Sequence, residues 1–215
     1  MLWSHPDLLT SYLHLLAKGL GATVLIALLS IIGGTLLGAG IYAMTQSRHT
    51  WVKKTAQCYR FIVRGAPLTV LILLFYYVVL QGTAGILAAV LAFSINFSNF
   101  ACSVIQSSFG TVSRGQLDAA TALGFTRRQT LRYIIAPQAL VNALPAYKFQ
   151  AVTLLKGTSI VGYVAILDLT QATEAIRQGT GQSFLPLLLI TVIYMIIAWL
   201  LCNLLDYLVK HTQKI

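Results

Sequence analysis

The sequence predicts an all-α integral membrane protein with five transmembrane helices and a helix–turn–helix loop on the cytoplasmic side. Three observations carry this expectation. The chain is 57% hydrophobic and only 9% charged, too little charge to solvate the surface of a 215-residue soluble globule. Its apolar stretches reach the roughly 20 residues needed to cross a hydrocarbon core. They are continuous instead of alternating, which favours helices over barrel strands. The basic residues gather just beyond the ends of these stretches, so the net charge of +10 reports topology in a lipid bilayer and not a nucleic-acid surface.

The first span covers residues 19–44. Its positive charge follows the apolar segment, and the segment is longer than a signal-peptide core, so an uncleaved helix is expected. Gly33, Gly34, Gly38 and Gly40 lie in it, with Gly34 and Gly38 at the small-xxx-small spacing that lets two backbones approach. That spacing leaves open whether the second backbone belongs to this chain or to another. Arg48, Lys53, Lys54, Arg60 and Arg64 place the next loop in the cytoplasm. The second span, 61–80, and the third, 85–109, flank an outside turn at 81–84. The third span carries a polar stripe, Asn96, Asn99, Ser103 and Gln106, fit either to line a pathway or to bond a neighbouring helix.

Residues 113–137 are too polar to span and too long for a simple turn, and Arg114, Arg127, Arg128 and Arg132 place them in the cytoplasm. Ser113 with Gln116, and Thr126 with Gln129, have the spacing of two capping boxes. Gly124 suits the left-handed position that ends the first short helix, and Pro137 is expected to close the second. On local physics this elbow is either a plug for a groove on another protein or an amphipathic loop at the membrane surface.

The fourth span, 138–156, is interrupted by Asn142, Pro145, Lys148, Gln150 and Lys156; its polar face should turn into the bundle, because a lipid-facing lysine is costly. An apolar arm, 159–167, and an outer helix, 168–182, precede the fifth span, 184–208. Asp168, Glu174 and Arg177 serve either the pathway or the solubility of that outer helix, Glu174 and Arg177 being at pairing distance. Lys210 and Lys214 put the C-terminus inside, and the N-terminus, poor in Lys and Arg, belongs outside. Opposite-side termini require an odd number of spans. Cys58, Cys102 and Cys202 lack ligand-like spacing and are expected to pack; no metal site is expected.

The elbow resembles the EAA loop of ATP-binding-cassette (ABC) importer permeases: an acidic residue, two alanines, three residues, a glycine, nine residues, then Ile-x-Leu-Pro. The corresponding positions are Asp118, Ala119, Ala120, Gly124, Ile134 and Pro137, with Asp118 where the family usually has Glu and Ala136 where it usually has Leu. Arg64-Gly65-Ala66-Pro67-Leu68, Gly115-Gln116, Pro137-Gln138-Ala139-Leu140, Lys156-Gly157-Thr158-Ser159 and Asp168-Leu169-Thr170 are similar to signatures of the polar amino-acid subfamily, the permeases of histidine, glutamine and arginine importers. Ser103 and Gln106 depart from it, standing where Glu and Arg are usual, and Gly157 stands where Asp is usual.

The resemblance implies a single multi-pass permease domain, 1–215, in a bacterial cytoplasmic (inner) membrane, moving a polar amino acid. It implies a pair with a second permease copy, homo- or heteromeric, above ATPase subunits and below an extracytoplasmic substrate-binding protein. Gly115, Asp118, Ala119, Ala120, Gly124 and Pro137 would couple to the ATPase, leaving Asn96, Asn99, Ser103, Gln106 and Lys156 as pathway candidates. The chain has no Gly-x-x-x-x-Gly-Lys-Ser/Thr loop, so ATP and Mg are expected in the partner subunits and no cofactor in this chain. No His-Glu-x-x-His, paired carboxylates or nucleophile elbow appears, so catalysis and catalytic residues are not expected. The alternative is a self-contained secondary transporter or channel. The interrupted fourth span favours it; the lack of internal repeats and the capped elbow oppose it.

Overall fold

The structure, a computed structural model, describes residues 6–164 and 166–212. Its helices are α1 (Pro6–Thr45), α2 (Thr50–Gly65), α3 (Leu68–Leu73), α4 (Gly85–Gly110), α5 (Arg114–Ala122), α6 (Arg127–Thr130), α7 (Ala136–Gly157), α8 (Leu169–Thr180) and α9 (Phe184–Thr212). Wider π turns, Leu74–Val79 and Leu131–Ile135, follow α3 and α6, and a tight 3-10 segment, Thr158–Val164, follows α7. Among the described residues there is no strand.

The packing is organised by the seam between α1 and α4. A Cβ added at Gly34 would lie 2.8 Å from the Phe97 Cβ and 2.9 Å from the Ser94 carbonyl oxygen. At Gly38 it would lie 2.6 Å from the Ala101 Cβ and 2.7 Å from the Ser98 carbonyl oxygen. The small-xxx-small spacing therefore has its partner within the same chain, where missing side chains let the backbones meet. Residue numbers rise together along the seam, so α1 and α4 run parallel, and the chain must cross back between them through α2 and α3.

α7 runs antiparallel to α4. Gly157 meets the Phe93 ring, Tyr147 packs edge-on against Phe97 with centroids 5.5 Å apart, and the Asn142 amide donates to the Thr111 hydroxyl over 2.8 Å. α9 returns along α7, joined to it by Lys148 and Asp206, and is tied to α8 by Thr170 and Tyr194 near its other end. Ile26, Phe93, Phe97, Leu155 and Val161 fill the shared core. The outer face of α9 exposes Phe184, Met195 and Trp199, side chains suited to acyl chains.

Among the described residues three helices, Thr10–Thr45, Gly85–Gly110 and Phe184–Lys210, are long and apolar enough to cross a membrane. The stretch 61–80, expected as one helix, is interrupted. The chain bends by 104° between Thr50–Gly65 and Leu68–Val79, so at most this pair makes one broken span. The cause is local: Pro67 drives Ala66 into extended backbone, φ −80° and ψ 123°, where α2 ends. The 12 residues beyond the bend reach about 18 Å, short of the roughly 30 Å hydrocarbon core. α7 is long enough, yet Asn142, Lys148, Gln150 and Lys156 keep it too polar to stand alone in lipid.

Candidate functional site

The elbow folds largely as its caps dictate. Thr126 and Gln129 form the reciprocal capping box: the Thr126 N–H donates to Gln129 Oε1 over 2.8 Å, and the Gln129 N–H donates to Thr126 Oγ1 over 3.3 Å. Such a cap contributes about 1 kcal/mol. Gly124 has φ +80°, the left-handed geometry expected of it. The other capping box does not form. The Ser113 side chain makes no cap bond, and Gln116 Oε1 instead accepts from Gln138 Nε2 over 2.9 Å, tying the elbow to α7. Nor does Pro137 end a helix: it sits in the first turn of α7, where its missing N–H costs nothing, and the π turn carries the chain into it from α6.

The six coupling candidates fall into two groups. Gly115, Asp118, Ala119, Gly124 and Pro137 are exposed, and nothing lies within 4 Å of a Cβ built at Gly115 or Gly124. Ala120 differs: it is 1% exposed, and its carbonyl oxygen accepts the Phe125 N–H. Its methyl group is thus covered within this chain, unlike that of Ala119. Around the elbow Leu123, 77% exposed, Leu131 and Tyr133 present apolar surface beyond the ends of α4 and α7.

The polar stripe of α4 meets a residue that the sequence reading assigned to topology alone. Arg60 on α2 donates from Nη2 to Ser103 Oγ over 2.9 Å, from Nη1 to Gln106 Oε1 over 3.2 Å and from Nε to Asn99 Oδ1 over 3.3 Å. The two positions where charge is usual in the subfamily thus serve here as neutral acceptors for a guanidinium. The signal was present: Ala56 and Val63, both buried, flank Arg60 at helical spacing, so the arginine lies on the packed face of α2. Beside this triad an open cleft of about 320 Å³ is lined by Arg64, Asn96, Asn99, Phe100, Ser103 and Gln150. It joins Asn96, Asn99 and Ser103 with Gln150 of α7 and excludes Lys156, which is exposed at the end of α7.

The remaining charged candidates are structural in their contacts. Lys148 and Asp206 form an ion pair at 2.9 Å between α7 and α9, which gives that lysine a partner within the bundle, while Asn142 and Lys156 of the same helix are exposed. Asp168 does not solubilise an outer helix: it is fully buried and caps α8, Oδ1 accepting the Gln171 N–H over 2.8 Å. Oδ2 has no hydrogen-bond partner, and burial pushes this carboxyl above its ordinary range against the opposing pull of the Gln171 and Thr170 bonds. Its carbonyl oxygen lies 2.6 Å from where a Gly19 Cβ would stand, and the Leu169 N–H donates to Thr23, fixing α8 on α1. Glu174 is held down to about 2, chiefly by hydrogen bonds from Arg177 and then Gln178, all at the exposed face of α8. Of the cysteines, Cys102 is buried while Cys58 is exposed, which corrects the packing role expected of it.

Comparison with known proteins agrees with this geometry. Residues 30–214 match the family described as binding-protein-dependent transport system inner membrane component. A probable amino-acid ABC transporter permease of Bacillus subtilis, YckA, is 29% identical, over 86% of this chain and 82% of its own length. The glutamate/aspartate import permease GltK of Escherichia coli O6:H1 is 29% identical, over 92% of this chain and 93% of its own. The histidine/lysine/arginine/ornithine permease HisM of Escherichia coli K12 is 28% identical, over 86% and 84%. A crystal structure of an amino acid ABC transporter with histidines superposes with a TM-score of 0.80 at 32% identity, covering 94% of this chain and 96% of that one. With a parallel α1–α4 seam, an exposed elbow and a match across nearly the whole chain, this protein belongs to the binding-protein-dependent transport system inner membrane components, the permease subunits of ABC importers.

Proposed function

We propose that this chain carries a polar amino acid across a bacterial cytoplasmic membrane as half of a permease pair, coupled through its elbow to a partner ATPase. The observation that carries the reading is the exposed apolar and small-residue surface of Ala119, Leu123 and Gly124, set on a capped turn between α4 and α7. A rigid turn joined to two bundle helices transmits a push; a flexible loop does not. Closure of the ATPase around ATP and Mg would move the elbow and rock the helices as a rigid body. Asp118 and Gly115 would face the partner cleft, and Pro137 would set the start of the helix that receives the motion.

Five crossings follow if α2–α3 serve as one broken span and α7 as another, its polar face shielded by α4 and α9. The parallel α1 and α4 support this, because one return crossing must lie between them. The basic loops at 45–59 and 113–136 then lie in the cytoplasm with the C-terminus, and the N-terminus lies outside. The relatives named above carry acidic and cationic amino acids, so kinship supports an amino-acid substrate and leaves its side chain open. The test is reconstitution with the ATPase and the extracytoplasmic binding protein in liposomes. ATP-dependent uptake of an amino acid is expected. Uptake without ATPase, or nucleotide binding by the isolated chain, would overturn the division of labour and favour a self-contained carrier.

A further inference from the structure

α2 carries three stripes, each offset by one residue from the next. Val52, Ala56, Tyr59 and Val63 form the packed one: Ala56 and Val63 are buried, Ala56 clusters with Ile41 of α1 and Cys102 of α4, and the Tyr59 hydroxyl bonds that of Ser98 over 2.8 Å. Lys53, Gln57, Arg60 and Arg64 form a polar stripe on one flank. Trp51, Thr55, Cys58 and Ile62 form the other flank, and all four are exposed, Trp51 to 84%. Phe61, 81% exposed, and Lys54 lie between the two flanks. An apolar flank of this kind needs a cover other than water.

The direction of α2 says what that cover is. The segment Leu68–Val79 runs back along α4 to its start, where a Cβ at Gly85 would lie 3.6 Å from the Tyr76 ring, and α2 is bent by 104° from that segment. Spanning helices tilt by only about 20° on average, so α2 lies across the bundle, close to the membrane plane, near the C-terminal ends of α1 and α4. The charge is as one-sided as the direction. Arg48, Lys53, Lys54, Arg60 and Arg64 crowd this stretch, and no acid stands between Asp7 and Asp118. Among the described residues the ion pairs Lys148–Asp206 and Arg177–Glu174 both lie elsewhere. Arg60 is spent on α4 and Arg64 lines the cleft, which leaves exposed Arg48, Lys53 and Lys54 around Trp51.

We infer that α2 is a surface-lying helix that binds anionic phospholipids: Trp51, Cys58, Phe61 and Ile62 enter the acyl boundary, while Arg48, Lys53 and Lys54 hold the headgroup phosphates. Basic and aromatic residues on adjoining faces of one helix suit that boundary, and lysine stems are long enough to reach the headgroups from it. A zwitterionic lipid offers the same acyl contact without the net negative charge, so three cations select against it. An acidic soluble peptide would answer the cations and leave the apolar flank in water. The inference needs only that the chain sits in a bilayer, so its failure leaves the importer reading untouched.

The test uses the full chain with Trp3→Phe and Trp199→Phe, which leaves Trp51 as its one tryptophan. It is reconstituted in mixed phosphatidylcholine and phosphatidylglycerol vesicles, with one lipid or the other brominated near the headgroup end of its acyl chains, and Trp51 fluorescence is read. Both brominated lipids are expected to quench it, phosphatidylglycerol as though about fivefold enriched beside Trp51. That enrichment should fall toward one at high salt and in the Lys53→Gln, Lys54→Gln double variant, whose two sites are exposed. Quenching by neither lipid would overturn the inference, because the flank would then face water or protein. Equal quenching by the two lipids would remove the anionic preference, and the salt series decides this without any change to the cations. Enrichment undiminished in the double variant would show that these lysines do not hold the headgroup.

Discussion

Small residues occur at two places in this molecule for opposite reasons. At the α1–α4 seam, Gly34 and Gly38 are small because another part of the same chain already fills the space, with carbonyl oxygens 2.9 and 2.7 Å from where a Cβ would go. At the elbow, Gly115 and Gly124 have open space around them and Ala119 is exposed. Local sequence cannot separate the two cases, since both read as glycine and alanine at close spacing. Geometry does: the seam is a completed interface, and the elbow leaves Gly115, Ala119 and Gly124 open, as the proposed docking requires. Ala120 shows how narrow the boundary is, being buried one residue from exposed Ala119.

The contrast can be broken from either side. Gly38→Leu should have the largest effect, because overpacking against backbone has no rotamer to escape into; a loss of about 3 kcal/mol or more is expected. Size-exclusion profiles of the detergent-solubilised protein would show it as loss of the monodisperse peak. A normal profile would mean that the seam opens freely and is no completed interface.

Asp168 is next, because it helps to pin α8 to α1 at Gly19 and Thr23. Asp168→Ala removes the cap and should cost about 1 kcal/mol. Asp168→Asn keeps a capping oxygen and removes the buried charge. A carboxyl whose folded pKa lies above its unfolded value is protonated more readily in the folded state. Its contribution is therefore complete below the unfolded pKa and is lost as pH rises through the raised value. Thermal unfolding of the wild type should show that downward slope and Asp168→Asn should lack it. Parallel slopes would mean that Asp168 does not titrate in the folded protein. At the elbow, Gly124→Ala should cost about 1 kcal/mol through its φ of +80° alone, without any clash. A loss as large as that of Gly38→Leu would show the elbow to be packed.

Much of this was readable beforehand, for physical reasons that differ by region. Continuous apolar runs and flanking charges marked α1, α4 and α9, because length and hydropathy are summed over many residues. The Thr126–Gln129 box and the left-handed Gly124 were readable because caps and turns are decided within four residues. Ser113–Gln116 had the same pattern and failed, since Gln138, 22 positions away from Gln116, took its side chain. The bend within 61–80 went unread although Pro67 was in view, because an unbroken apolar run masked it. Arg60 was read as a topology signal; its contacts with α4 lie about 40 residues away in sequence, beyond the reach of local pattern.

Ala119→Glu tests the central claim most directly, because Ala119 is exposed and the substitution should change stability by roughly 0.5 kcal/mol or less. The measurement is co-purification of the ATPase with the permease, with the thermal unfolding profile of the variant recorded alongside. An elbow that docks into a partner predicts an unchanged unfolding profile and loss of the ATPase from the purified complex. An unchanged profile with wild-type ATPase recovery would contradict the account, since the open small-residue surface of the elbow would then meet only water and headgroups.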